Sequence, residues 1–251
     1  MSLKSFGIAV LLTVMAATAV VAMEQVNGDQ TYSWRYKMTV EVETPEGIKT
    51  GSAVRQMGNE LQGSPLSQGG NPADVRGEAV VVDLGKRGVL FALISSDSDL
   101  EFYNAFPVPG NPVGNGGSTP EGIQYYANLS VGTQGILNPK APPGYPQLVT
   151  FKDLNDPKSV TLVQEWTYIR GQERGQNFEL TKDHMEELFG PGVKLKSITL
   201  EITDEPVTWG IVNRYMPKKF KSEIIDKWKD LPYLEKERIY QLISFKQGDT
   251  K

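Results

Sequence analysis

From Tyr32 to Glu43 the chain alternates. Trp34, Tyr36, Met38, Val40 and Val42 fall on one side, and Arg35, Lys37, Thr39, Glu41 and Glu43 on the other. A period of two over this length predicts a strand with one buried face. Thr44-Pro45-Glu46-Gly47 reads as a turn, since proline presets φ and glycine accepts a positive one. A weaker strand over 48–57 completes a hairpin. Residues 58–76 read as a loop of Gly, Ser, Asn, Gln and Pro. Glu78–Leu84 and Val89–Ile94 are short β-branched and apolar runs joined by Gly85-Lys86-Arg87-Gly88. Such runs predict buried strands in a second hairpin.

Ser95–Glu101 is a polar start for a short helix or turn. Residues 105–146 hold 8 Gly and 8 Pro, and only 121–129 looks helical. A long structureless stretch of this kind is uncommon inside a compact domain. Strands are predicted over 147–152 and 159–163. A helix is predicted over 181–189, with Thr181 as its cap and Asp183 in its first turn. Residues 193–203 alternate again, with a phase break near Ser197 that fits a β-bulge. The tail changes style. Lys218–Lys229 places Phe220, Ile224, Ile225 and Trp228 on one helical face. After Leu231-Pro232, a second helix over 233–245 gathers Ile239, Leu242 and Ile243. Strands first and helices last give an α+β class: a mainly antiparallel β core, a short helix near 181–189 and a C-terminal helical tail. Thr-Pro-Glu-Gly-Ile occurs at 44–48 and again at 119–123 and reads as a reused turn.

Phe6–Met23 carries no charge and follows Lys4. A basic start before an apolar run is the pattern of a secretory signal peptide, here with cleavage after Ala22. The other reading is an inner-membrane anchor over residues 6–23, near the lower length limit for a span. Either reading exports the rest of the chain, to the periplasm or cell envelope. The expected organisation is a signal peptide or anchor over 1–22, a mainly-β domain over 23–215 and a helical tail over 216–251.

Composition narrows the chemistry. The chain has 251 residues, 39% of them hydrophobic, with no Cys, one His and a net charge of −4. Without Cys there is no disulfide framework, thiol nucleophile or Cys-ligated metal. One His excludes any site that needs two imidazoles from a single chain. The acidic balance argues against general nucleic-acid binding. The segment from Met216 is basic, 9 − 6 = +3, with its charges interspersed. Such a helix face either rests on a membrane surface or is solvated while its other face packs. No cofactor and no metal are expected.

Several residue groups have a chemical and a plain reading. His184 beside Asp183, Glu186 and Glu187 could act as a base, or stand as a surface histidine among carboxylates. Asp97, Asp99 and Glu101 alternate as calcium ligands do, but also as the cap of a helix. Asp153, Asn155 and Asp156 precede a proline and fit a turn. Glu201, Asp204 and Glu205 lie at a strand end, where paired acids could hydrolyse a glycan. Gly85–Gly88 lacks the spacing of a phosphate loop. Asn128-Leu129-Ser130 matches a glycosylation acceptor. Phe102, Tyr103, Phe106, Tyr125, Tyr126 and Tyr145 lie in and beside the long loop. Aromatic rings among Gly, Asn and Pro fit a surface for a glycan or peptide, with Tyr103, Tyr125, Tyr126 and Tyr145 as the candidate ligand-binding residues. The alternative is that these rings pin the loop to the core.

Three pieces carry a resemblance. They are Trp34–Gly47 (WRYKMTVEVETPEG), Arg76–Leu84 (RGEAVVVDL) and Glu201–Ile211 (EITDEPVTWGI). Together they resemble a group of exported proteobacterial proteins with no established activity. The resemblance implies a bacterial envelope location and transfers no catalytic residue. The expected function is a non-catalytic binding or scaffold domain that meets an envelope protein or a glycan or peptide ligand. Membrane association would come through the N-terminal segment. The competing expectation is a carboxylate-dependent hydrolase that uses Asp97, Asp99, Glu201 or Asp204.

Overall fold

The computed structural model describes residues 24–26, 29–61, 73–94, 101–110, 119–141, 144–156, 159–172, 177–216 and 245–247. They form antiparallel β-sheets joined by a few short helices. The alternating segment founds the main sheet. Strand β2 (Asp29–Thr44) pairs along its length with β3 (Gly47–Leu61). Its inner residues Tyr32, Trp34, Tyr36, Met38, Val40 and Val42 are all buried. On the other side of β2 lie β12 (Lys194–Ile202) and then β7 (Gln134–Ile136). The bulge expected near Ser197 is present: the register of β12 against β2 shifts between Leu195 and Ser197. On the far side of β3 lie β4 (Ala73–Glu78) and then β13 (Lys246–Gln247), while β1 (Glu24–Val26) joins the start of β2.

Only Ala79 separates β4 from β5 (Val80–Asp83), where the chain passes into a second sheet. This sheet runs in the order β5, β6 (Val89–Ala92), β8 (Leu148–Phe151), β9 (Val160–Leu162). Both of its faces are covered, which explains why its strands read as continuous apolar runs. Val80, Val82, Leu90, Ala92 and Leu148 join the core against the main sheet. Ala79, Val81, Phe91, Val149 and Phe151 form a second cluster with Val212, Met216 and Phe245. The two sheets approach closely at Gly51, where an added Cβ would collide with the Val81 carbonyl.

Two short helices cover the other end of the main sheet. In α1 (Glu101–Ala105), Phe102 lies 5.5 Å from Trp34 and 5.1 Å from Tyr36 between ring centres. In α2 (Pro120–Ala127), Tyr126 lies 5.6 Å from Trp34. Thr119 caps α2 by accepting from the Gly122 amide, with proline at the first turn.

After β12 the chain becomes a strap. Glu205 meets Lys37 at 2.7 Å, and Arg35 donates to its carbonyl oxygen. Thr208 then bonds the backbone of Val54 on β3. The carboxylate of buried Glu78 accepts the amides of Gly210, Ile211 and Val212 and so starts α4 (Val212–Tyr215).

The structure corrects several sequence expectations. The loop expected over 58–76 is strand at both ends, because β3 continues to Leu61 and β4 begins at Ala73, while residues 62–72 lie outside the described residues. The stretch 105–146 holds the end of α1, the whole of α2 and strand β7. Its glycine at 135 allows β7 to lie against the Ala105 carbonyl. The helix expected over 181–189 begins only at Met185, as α3 (Met185–Phe189). Thr181 is not its cap. It sits in β11 (Phe178–Asp183) and donates to the Glu165 carbonyl of β10 (Gln164–Tyr168). The repeated Thr-Pro-Glu-Gly-Ile is a hairpin turn at 44–48 but a helix start at 119–123. The apolar run 6–23, residues Asp97 and Asp99, and the tail helix over 218–229 lie outside the described residues. The same holds for the tail helix over 233–245 except at Phe245, which leads into β13.

Candidate functional site

The structure separates the four candidate tyrosines. Tyr103 on α1 and Tyr126 on α2 are inside the protein, 4% and 1% exposed. Their rings stack 5.1 Å apart, and Tyr103 accepts from the Asn59 amide nitrogen. Burial, with Tyr103 and Tyr125 alongside, pushes the Tyr126 phenol far up. These two rings pin the Gly/Pro stretch to the core and present no face to a ligand in this conformation. Tyr125 is half-buried, 5.3 Å from Tyr126, and packs against the same core.

Tyr145 is half-buried against the same core but also faces a second group. It meets Trp166 edge-on at 5.8 Å, and burial raises its phenol. Trp166 lies on the hairpin of β10 and β11, which forms a two-stranded sheet of its own. Residues opposite each other across a ladder share a face. Trp166 stands opposite Leu180, and Tyr168 opposite Phe178. Since alternate residues also share a face, all four large side chains lie on one side of this arm. Tyr168 and Phe178 touch at 5.4 Å. Tyr168 is 54% exposed and Leu180 36%, while Trp166 and Phe178 are half-buried. The other side carries Glu165, Thr167 and Glu179. Beyond their own pairing, neither strand has a further strand beside it among the described residues. The Phe178 amide is held by the Lys140 carbonyl.

The arm is not among the elements that the hydrophobic pattern predicts. Its signal is short but present: Trp166 and Tyr168 alternate with polar residues, as do Phe178 and Leu180. Each strand offers only two apolar residues in alternation, and 9 residues separate the two strands, so the pattern is weak.

The root of the arm is polar. Gln164 donates to Asp183 Oδ2 at 3.2 Å, and Asp183 Oδ1 accepts from the Met185 amide. Lys182 holds both carboxylate oxygens of Glu165 at 3.2 Å and shifts that acid's pKa down. His184 precedes α3 between Glu165 and Glu187. Beside this root an open groove of about 430 Å³ is lined by Asp183, Met185, Glu186, Val193, Lys194 and Leu195.

The described candidate acids do not converge on one site. Glu201 accepts from Gln134 at 2.7 Å, Asp204 is exposed at the start of the strap, and Glu205 is paired with Lys37. Glu101 is buried at the start of α1. Asp153 and Asn155 close a turn, with Asp153 accepting the Asn155 amide at 2.8 Å. Gly85–Arg87 is a 3-10 turn between β5 and β6. Glu41, Glu46 and Glu165 are shifted down by their basic partners, the direction opposite to that of a general acid. Among the described residues no group of three Asp, Glu or His side chains is placed to hold a metal ion.

The chain matches no family model, no curated protein and no solved structure.

Proposed function

We propose that this protein is a non-catalytic binding module of the bacterial cell envelope, and that the apolar face of the β10–β11 arm receives a polypeptide segment of an envelope protein. One observation carries the reading. Trp166, Tyr168, Phe178 and Leu180 share one face of a two-stranded arm, with Tyr168 more than half exposed. The β10 edge has no further strand beside it among the described residues, and an edge of that kind beside an apolar face accepts an added strand whose alternate side chains lie on that face. The rings meet edge to face rather than as a flat platform, and an aliphatic Leu180 stands among them. Both features fit a peptide better than a sugar ring. Tyr145 extends the surface, whereas Tyr103 and Tyr126 support the scaffold beneath α1 and α2. The resemblance to exported proteobacterial proteins belongs to this proposal. So do a signal peptide or anchor before residue 23 and a helical segment between Met216 and Phe245.

The test is a photo-crosslinking residue placed at Tyr168, with the same residue at Glu179 on the opposite face as control. A discrete protein adduct from position 168, absent from 179, is the expected result. Equal labelling from both positions would remove the arm as the site. Loss of sedimentation with cell-wall glycan on Tyr168→Ala, with no protein adduct, would replace the peptide by a glycan.

A further inference from the structure

His184 is the only histidine in the chain, and it stands where the arm meets α3. Its Nδ1 lies 2.7 Å from Glu187 Oε2 on the helix, and its Nε2 lies 3.6 Å from Glu165 Oε1 on β10. An ionised carboxylate only accepts. Neutral imidazole has a single N–H, so one of its nitrogens would turn a lone pair toward a carboxylate oxygen. Only the imidazolium can donate to Glu187 and at the same time attract Glu165 across 3.6 Å.

We propose that protonated His184 clamps the root of the arm to α3, and that loss of its proton releases Glu165 and loosens this joint. The other charges at the joint are accounted for. Lys182 on β11 holds Glu165 at both oxygens, so that carboxylate keeps a partner when the ring lets go. Asp183 is engaged by Gln164 and by the Met185 amide. Glu186 accepts the Gly192 amide. The His184 amide is bound to the Val163 carbonyl, which fixes the backbone in either state.

The ring's pKa is raised, first by the bond to Glu187, against burial, which lowers it, and to a lesser degree by Glu165. A folded value above the ordinary 6.5 gives the sign. The clamp contributes fully below 6.5 and is lost as pH rises through the raised folded value. The joint is therefore tighter in acid and looser toward alkaline pH. Regulation of binding by this joint rests on the arm being the binding surface. The joint itself does not depend on that reading.

A lone histidine makes the test direct. The ring ¹⁵N signals of the full-length protein are followed from about pH 5 upward, where histidine is the ordinary side chain that changes charge. The backbone amides of Trp166, Tyr168 and Leu180 are followed alongside. A ring midpoint above 6.5, shared by those amides, is expected. Glu165→Gln should lower the midpoint and uncouple the arm, while Glu187→Gln lowers the midpoint alone. His184→Gln should abolish the amide titration. A wild-type midpoint at or below 6.5, or arm amides that titrate unchanged in His184→Gln, would overturn the clamp. If the coupling is present while Tyr168 makes no adduct, the clamp stands and the binding reading fails.

Discussion

Arg55 donates through Nε to the carbonyl oxygen of Glu78 at 3.2 Å, and both residues are completely buried. Arg55 also reaches the carbonyls of Ala92 and Leu93 at the end of β6. Burial pulls its pKa down to about 10, while Glu101 opposes the shift, so it stays charged at neutral pH. One cation therefore joins main-sheet strand β3 to the corner where the chain enters the second sheet. The Glu78 carboxylate faces onward, to the amides of the strap.

Glu78→Gln tests that onward link. The amide group would replace one accepting oxygen by a donor facing backbone N–H groups. Oε2 receives both Gly210 and Val212, so the conflict persists if the amide flips onto the Ile211 side. Hydrogen bonds to a charged group contribute about 1.5–3 kcal/mol, and a loss of that size is expected in urea unfolding. Amide exchange should quicken first in the strap and α4.

Gly51→Ala should destabilise although alanine is the better residue for a strand interior. The Cβ has nowhere to go, since it meets the backbone oxygen and carbon of Val81 rather than a side chain that can turn aside. Overpacking of this kind costs about 1–3 kcal/mol. Gly58→Ala, on the same strand, has open neighbours at 3.8 Å and serves as the control. Equal melting temperatures for the two variants would contradict the close approach of the sheets.

Glu46 and Arg87 tie the β2–β3 turn to the β5–β6 turn through two bonds of 2.8 and 3.0 Å. Arg87 also donates to the Phe189 carbonyl at the end of α3. The Arg87 bonds hold the Glu46 pKa down to about 2, from an ordinary 4.5. A depressed carboxylate contributes above its unfolded value and loses that contribution as pH falls through the folded one. Wild type should therefore lose stability between pH 4.5 and about 2 more steeply than Glu46→Gln. Glu46 is solvent-exposed and Arg87 half-buried, so salt should shrink the difference. Parallel acid limbs for the two proteins in low salt would contradict it.

The parts of the fold legible in the sequence are those where one physical rule dominates. The Tyr32–Val42 alternation marks β2, the β-branched runs mark β5 and β6, and the phase break at Ser197 marks the β12 bulge. Where rules compete, local reading fails. Thr-Pro-Glu-Gly-Ile makes a turn at 44–48, where Thr44 donates its hydroxyl to the Gly47 carbonyl. At 119–123 the same five residues start a helix, and the threonine accepts from the glycine amide instead. The residues after each copy decide between the two: a β-branched and polar strand in one case, and Gln124-Tyr125-Tyr126-Ala127 in the other. The candidate site shows the same limit. Clustered aromatics mark the 102–126 region, but adjacency in sequence does not say which rings are covered, and Trp34 and Tyr36 cover Tyr126 and Phe102. The most exposed ring, Tyr168, lies on the arm, where each strand shows only two apolar residues in alternation.

Tyr36 offers the sharpest test of the aromatic core. Its ring is fully buried 5.1 Å from Phe102, yet its hydroxyl has no hydrogen-bond partner among the described residues. The Trp34 indole nitrogen, on the same face of β2, also lacks one among those residues. A buried polar group without a partner carries a desolvation penalty of about 1–3 kcal/mol. Phenylalanine keeps the ring and its contacts and removes the hydroxyl. Tyr36→Phe should therefore leave the midpoint of urea unfolding unchanged or raise it, with the slope preserved. Phe102→Ala, which removes a ring beside both Trp34 and Tyr36, should lose about 3–5 kcal/mol. The contrast separates a ring required for packing from a hydroxyl that packing merely tolerates. A clear fall in stability for Tyr36→Phe would mean that the hydroxyl is satisfied in solution. A water molecule enclosed between the main sheet and α1 would be its partner.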